Sequence, residues 1–209
     1  TKTNQIWTQN SGSIDDSSEQ ADNFGKSLAS GDFNGDGFED LAIGIPSEDV
    51  GSITDAGGVE VIYGSSSGLS ATAVLADQFW SQNTANVEDI SEQGDNFGSS
   101  LAVADFNGDG KDDLAIGVPR EGIVSSTDQA GGVNVIYGSS TGLSATTVPD
   151  QFWSQDSANV EDVSEQGDNF GSSLAAGDFN GDGDDDLGIG IPSEDVGSVF
   201  DAGTVNVIY

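Results

Sequence analysis

The chemistry of this chain is carried by carboxylates. Asp32–Asp40, Asp105–Asp113 and Asp178–Asp186 share the order Asp-Phe-Asn-Gly-Asp-Gly-x-x-Asp and recur at an interval of 73 residues. Side-chain oxygens therefore fall at loop positions 1, 3, 5 and 9: Asp32, Asn34, Asp36 and Asp40; Asp105, Asn107, Asp109 and Asp113; Asp178, Asn180, Asp182 and Asp186. Position 7 holds Phe38, Lys111 or Asp184, and that variety points to a backbone carbonyl as the donor there. Carboxylate, amide and carbonyl oxygens at such spacing wrap a hard cation, and Ca²⁺ is the ion that takes them. The expectation is three Ca²⁺ sites, one per copy. Mg²⁺ fits less well because it keeps its waters and rarely accepts an all-protein cage.

Two other readings of the loops compete. An EF-hand needs a bidentate Glu at position 12, where this chain has Ile43, Ile116 and Ile189. The Gly-Ile-Pro or Gly-Val-Pro that follows would also break an exiting helix. A hydrogen-bonded Asx turn without an ion would explain one loop, but four oxygen positions kept in three copies favour a ligand set. Gly37, Gly110 and Gly183 sit where the chain must turn sharply, and glycine reaches positive φ without steric cost.

The elements that must hold these loops also repeat. Trp7, Trp80 and Trp153 keep the same interval, as do Phe24-Gly25, Phe97-Gly98 and Phe170-Gly171. A fixed period of this size signals a repeat architecture, in which no unit buries its apolar face alone. One repeat reads as four strands: Gln78–Gln82, about Phe97–Phe106, Leu114–Val118 and Val133–Tyr137. Each is a run of β-branched or aromatic residues bounded by Gly, Pro, Asp or Ser. Leu114–Val118 is apolar on both faces and belongs in mid-sheet; Gly117 within it admits close approach by another backbone. No stretch keeps helical periodicity. The fold class is thus all-β, with blades of four antiparallel strands, as in a β-propeller. The repeats divide as 1–77, 78–150 and 151–209, the last lacking its outer strand.

Composition narrows the function. The chain has 209 residues, 4 Lys and Arg against 37 Asp and Glu, and a formal net charge of −33. Nucleic acid needs a basic footprint and is excluded as a partner; anionic lipid is disfavoured for the same reason. No apolar run approaches the length of a membrane span. Without Cys there is no disulfide framework, and without His or Cys the usual nucleophile–base pairs are missing. Paired carboxylates could serve glycoside hydrolysis, but the repeated clusters are claimed by metal or turns. No catalytic residues are assigned.

The run from Phe-Gly through Asp-Phe-Asn-Gly-Asp-Gly-x-x-Asp-Leu to Gly-x-Pro, then Gly-x-Val-x-Val-Ile-Tyr-Gly, resembles the FG-GAP repeat of integrin α-subunits and bacterial surface proteins. Ile45, Val118 and Ile191 stand where the family name implies Ala, and the third copy has Gly188 and Thr204. The resemblance implies a propeller with Ca²⁺ in the hairpin loop between the first two strands of each blade. It also implies extracellular or cell-surface work in adhesion, or in protein or glycan contact. Family propellers commonly have seven blades, against three here. The aromatic strand Gln5–Gln9 is spare at one end, while Val205–Tyr209 lacks such a neighbour at the other. The expectation is an open array completed by another chain through strand sharing, as a ring or a fibre. The alternative is an adhesion or ligand-binding module within a longer surface protein.

Three further sets complete the reading. Glu48-Asp49 with Asp55, Glu194-Asp195 with Asp201, and Glu121 with Asp128 beside Arg120 read as solvated loop charge before a second cation site. Glu19/Asp22, Glu92/Asp95 and Glu165/Asp168 read as loop caps first and ligands second. The three Trp read as packing between blades rather than a glycan-stacking row.

Overall fold

The structure is a computed structural model and describes residues 4–12, 14, 16–72, 75–123, 125 and 128–209. Among these, every regular element is a strand. The first sheet has the order β1 (Ser27–Gly31), β2 (Asp40–Ile45), β3 (Gly58–Ile62) and β4 (Gln78–Trp80). The second repeats it with β5 (Ser100–Ala104), β6 (Asp113–Val118), β7 (Gly132–Ile136) and β8 (Gln151–Trp153). The third has β9 (Ser173–Gly177), β10 (Asp186–Ile191) and β11 (Thr204–Ile208). All pairings within these sheets are antiparallel, giving three propeller-type blades in an open row.

The apolar runs behave as their composition demands. β6 is buried along its whole length between β5 and β7, as expected of a strand apolar on both faces. The aromatic strand pairs backwards: Trp80 stands opposite Val59 and Gln78 opposite Val61, so β4 closes the first sheet. A repeat counted from its aromatic strand is therefore offset by one strand from the sheet it helps to build. The Gln5–Gln9 segment forms no strand. It has no β3-like neighbour to pair with, and an isolated extended segment does not satisfy its own backbone. Its side chains nevertheless hold the β4 pattern: Gln5 Nε2 donates to the Leu69 carbonyl at 2.8 Å, as Gln78 Nε2 donates to that of Leu143 at 3.1 Å.

The blades are joined by backbone, not by side chains alone. Phe97 N–H donates to the Ala56 carbonyl at 2.9 Å and Phe170 N–H to that of Ala130 at 2.8 Å. Each Phe is thereby driven, fully buried, into the preceding blade. The glycines that follow allow the approach: a Cβ on Gly98 (φ +87°) would lie 2.5 Å from the Gly58 carbonyl oxygen. The core accordingly lies between blades. One cluster unites Val59, Val61 and Trp80 of the first with Leu114, Ile116 and Val118 of the second. Another unites Val133 and Val135 with Leu187, Ile189 and Ile191. Trp80 is a core residue, and Trp7 and Trp153 pack against clusters, so the three indoles serve packing.

Candidate metal centres

Each hairpin loop joins the first two strands of its blade, so all three emerge from the same end of the sheets. Their oxygens converge on a few amides. Asp32 Oδ1 and Asn34 Oδ1 both accept from Asp36 N–H, at 3.0 and 2.8 Å, and Asp32 Oδ2 accepts from Gly37 N–H at 2.7 Å. Asp105, Asn107 and Gly110 reproduce this about Asp109 N–H, and Asp178, Asn180 and Gly183 about Asp182 N–H. Asp36 Oδ1 accepts from Phe38 N–H at 3.0 Å, with counterparts at Lys111 and Asp184. Those bonds fold the backbone until the side-chain oxygens of positions 1 and 3 meet at the N–H of position 5, whose own carboxylate turns to the N–H of position 7. The turn glycines have φ of +88°, +85° and +101°, and nothing crowds their Cβ positions.

Position 9 does something the spacing did not reveal. Asp40 is buried, and its two oxygens accept from Phe33 N–H at 3.0 Å and Gly64 N–H at 2.7 Å. Asp113 does the same with Phe106 and Gly138, and Asp186 accepts from Phe179 N–H. These aspartates clasp the loop to the sheet before any ion is considered. Burial raises Asp40 to about 6 and Asp113 to about 7, with Asp36 and Asp32, or Asp105 and Asp109, adding to it. The donor types suit a hard divalent ion: a carboxylate and an amide oxygen meet at one N–H, and carboxylates raised by burial and mutual repulsion gain from a cation. Lys111 brings its ammonium 3.3 Å from Asp109 Oδ1, an exposed pair.

The second acidic sets are solvated only in part: Asp49 and Asp201 are exposed. Glu48, Glu121 and Glu194 are buried, which corrects the reading of them as loop charge. Each accepts a hydrogen bond from a buried glutamine Nε2: Gln9, Gln82 and Gln155. Asp22, Asp95 and Asp168 are buried too, and cap their loops by accepting from the N–H of Glu19, Glu92 and Glu165. Among the described residues, the acidic group with three ligand atoms mutually within 4.8 Å is Glu92, Asp95 and Glu121, not a hairpin loop. Burial above all, then Asp95, raises Glu121 to about 8. Burial, then Asp16 and Asp22, does the same to Glu48. The recurring Gln two residues after each Trp was the available signal, unused because glutamine is common on surfaces.

Blades of this order, with an acidic loop in the first hairpin and an aromatic strand closing the preceding sheet, define a β-propeller module. Segments 24–62, 97–136 and 170–208 match the FG-GAP repeat model, over half of the chain, and the chain belongs to the FG-GAP repeat family. It is 34% identical over 168 residues to phosphatidylinositol-glycan-specific phospholipase D of Bos taurus, covering 80% of this chain and 18% of that protein. It is 31% identical over 193 residues to integrin alpha-PS2 of Drosophila melanogaster, covering 90% of this chain and 12% of that one. With integrin alpha pat-2 of Caenorhabditis elegans it shares 33% over 183 residues, 82% of this chain and 13% of that protein. The chain thus spans less than a fifth of the length of these relatives. No helix among the described residues is long and apolar enough to cross a membrane.

Proposed function

We propose that this chain is a calcium-stabilised, non-catalytic structural module of the extracellular space, whose row of blades continues from one copy to the next by strand sharing. Millimolar Ca²⁺ outside cells suits exposed loops of this kind, since extracellular modules bind in the 10⁻⁴–10⁻³ M range. The phospholipase activity in the name of one group of relatives is theirs and is not carried over.

One observation supports strand sharing above the rest. In the first two blades the aromatic strand lays a Phe ring on a glycine: a Cβ on Gly58 would stand 2.3 Å from Phe79 Cζ, and one on Gly132 the same distance from Phe152 Cζ. The third blade has Thr204 at that place, which excludes a Phe ring. The Gln5–Gln9 segment has Ile6, a shorter side chain without a ring, at the matching place. Thr204 and Ile6 are thus complementary in size where Gly and Phe are elsewhere. By analogy with β3–β4, Val205, Asn206 and Val207 of one copy would pair with Trp7, Ile6 and Gln5 of another.

The test is particle size and melting temperature with and without Ca²⁺. Light scattering should find rings or fibres in Ca²⁺, and excess chelator should lower the melting temperature. Each site would contribute about 2.7 kcal/mol when free Ca²⁺ is roughly 100 times its dissociation constant. Unchanged melting in chelator would remove the calcium reading. Monomers alone would favour the second reading, an adhesion or ligand-binding module within a longer surface protein, which the 12–18% coverage of relatives supports.

A further inference from the structure

We propose that Glu92, Asp95 and Glu121, with the amide oxygen of Gln82, form a second divalent-cation site at the end of the blade opposite the hairpin loop. This goes beyond the hairpin calcium and stands independently of it. The register places it: Ala104 pairs with Asp113 at the hairpin end, whereas Ser100 pairs with Gly117 at the other. Glu92 and Asp95 precede β5, and Glu121 follows β6, so all three meet at that second end. Gln82 reaches the same point from beyond β4 of the preceding blade, so an ion there would bridge the seam between two blades.

Three observations make this a site and not merely a patch of acid. Asp95 and Glu121 are buried, and with Glu92 they bring oxygens within 4.8 Å of one another. Among the described residues no Lys or Arg lies within ion-pair distance of them; the ion pair present is Lys111–Asp109. Buried carboxylates without a counter-charge demand a cation or a proton. Gln82, only 1% exposed, sets its amide against Glu121, and its Oε1 has no hydrogen-bond partner in the protein. Glu92 Oε2 is enclosed and equally unpartnered. A neutral oxygen and a carboxylate oxygen left over beside two buried carboxylates are acceptors in need of a positive centre, and hard divalent ions take such sets.

The neighbourhood allows entry and repetition. A concavity of about 700 Å³, lined by Ile53, Asp55, Ser91, Glu92 and Arg120, opens the Glu92 side of the cluster to solvent. The glutamine–glutamate pair recurs at Gln155 and Glu194, with Gln155 Oε1 also buried without a partner, but among the described residues three carboxylate oxygens close to within 4.8 Å at the middle copy. The periodic glutamine–glutamate pair belongs to the design of the repeat.

The experiment counts Ca²⁺ bound per chain by equilibrium dialysis in physiological salt. The isosteric double variant D95N/E121Q should bind one Ca²⁺ fewer than the parent, and Q82M should weaken one site at least tenfold while circular dichroism stays unchanged. D105N/D109N should separately lose the middle hairpin ion. If D95N/E121Q keeps the parental count, the cluster holds a proton and the proposal is overturned, whatever the hairpin variant does. If only the hairpin variant keeps the count, the hairpin reading fails and this one stands. Should the double variant not fold, E92Q, on the partly exposed carboxylate, takes its place with the same expected loss of one ion.

Discussion

At the scale of single residues, the buried glutamates set how the metal-free protein answers pH. Glu121 rises from the ordinary 4.5 to about 8, chiefly by burial and then by Asp95, with Asp89 adding a little. Glu48 rises similarly. An acid whose folded value exceeds its unfolded one holds a proton that the unfolded chain releases. Stability is then greatest below the unfolded value and falls as pH climbs through the window from about 4.5 to about 8. In excess chelator, the protein should therefore melt higher at pH 5 than at pH 8, by roughly 5–10 °C for a loss of a few kcal/mol. Glu121→Gln should flatten part of that slope, because an amide has no proton to lose. Equal melting at both pH values, in chelator, would refute the assignment of these glutamates as buried without a counter-charge. This behaviour is the reverse of an acid stabilised by a salt bridge, and the near absence of Lys and Arg explains why.

At the scale of elements, the seam between blades explains which glycines matter. Gly44, Gly117 and Gly190 occupy one place in three equivalent central strands. A Cβ on Gly117 would stand 2.2 Å from the Gly171 carbonyl oxygen, and one on Gly44 equally close to that of Gly98. These are backbone atoms of the next blade and cannot yield without parting the sheets. On Gly190 the nearest obstacle is Ser173 Oγ, which can rotate away. Gly117→Ala should cost about 1–3 kcal/mol by overpacking, and Gly190→Ala distinctly less, as read from denaturant midpoints. A loss as large at Gly190 would mean that its face is already covered. The strands, their order and the hairpin loops were legible in the sequence because alternation, turn residues and loop spacing are local. Less was legible where the partner is distant. That β4 belongs to the preceding sheet depends on Trp80 meeting Val59, and that Gln5–Gln9 is no strand depends on the absence of a neighbour. The buried glutamates were misread because Glu121 and its partner Gln82 come from separate connections, and each alone looks solvated.

At the scale of the whole molecule, the outer faces of the first and third blades are unlike, and the strand sharing proposed above would set one against the other. Leu28 of β1 is 60% exposed, while its equivalents Leu101 and Leu174 pack against the blade before them. Val205 of β11 is 70% exposed, while its equivalents Val59 and Val133 are at 0%, covered by the blade after them. One end thus offers the surface that a preceding blade covers, and the other the surface that a following blade covers. Exposed Phe179 extends the second surface, where the equivalent Phe33 is fully buried. Such a contact is heterologous: it joins different patches, and closes into a ring or propagates as a fibre according to the rotation per step. Against the proposed contact stands the net charge of −33, which drives copies apart and would make such assembly weaken at low salt. Leu28→Asp and Val205→Asp should each abolish assembly, because each spoils one partner in every contact. Mixed in equal amounts, however, the two variants retain one intact pair of ends between them and should form a dimer that goes no further. Light scattering on the single variants and on the mixture distinguishes this arrangement from a symmetric one. In a symmetric contact each patch meets its own copy, and a mixture would add nothing that the separate variants lack.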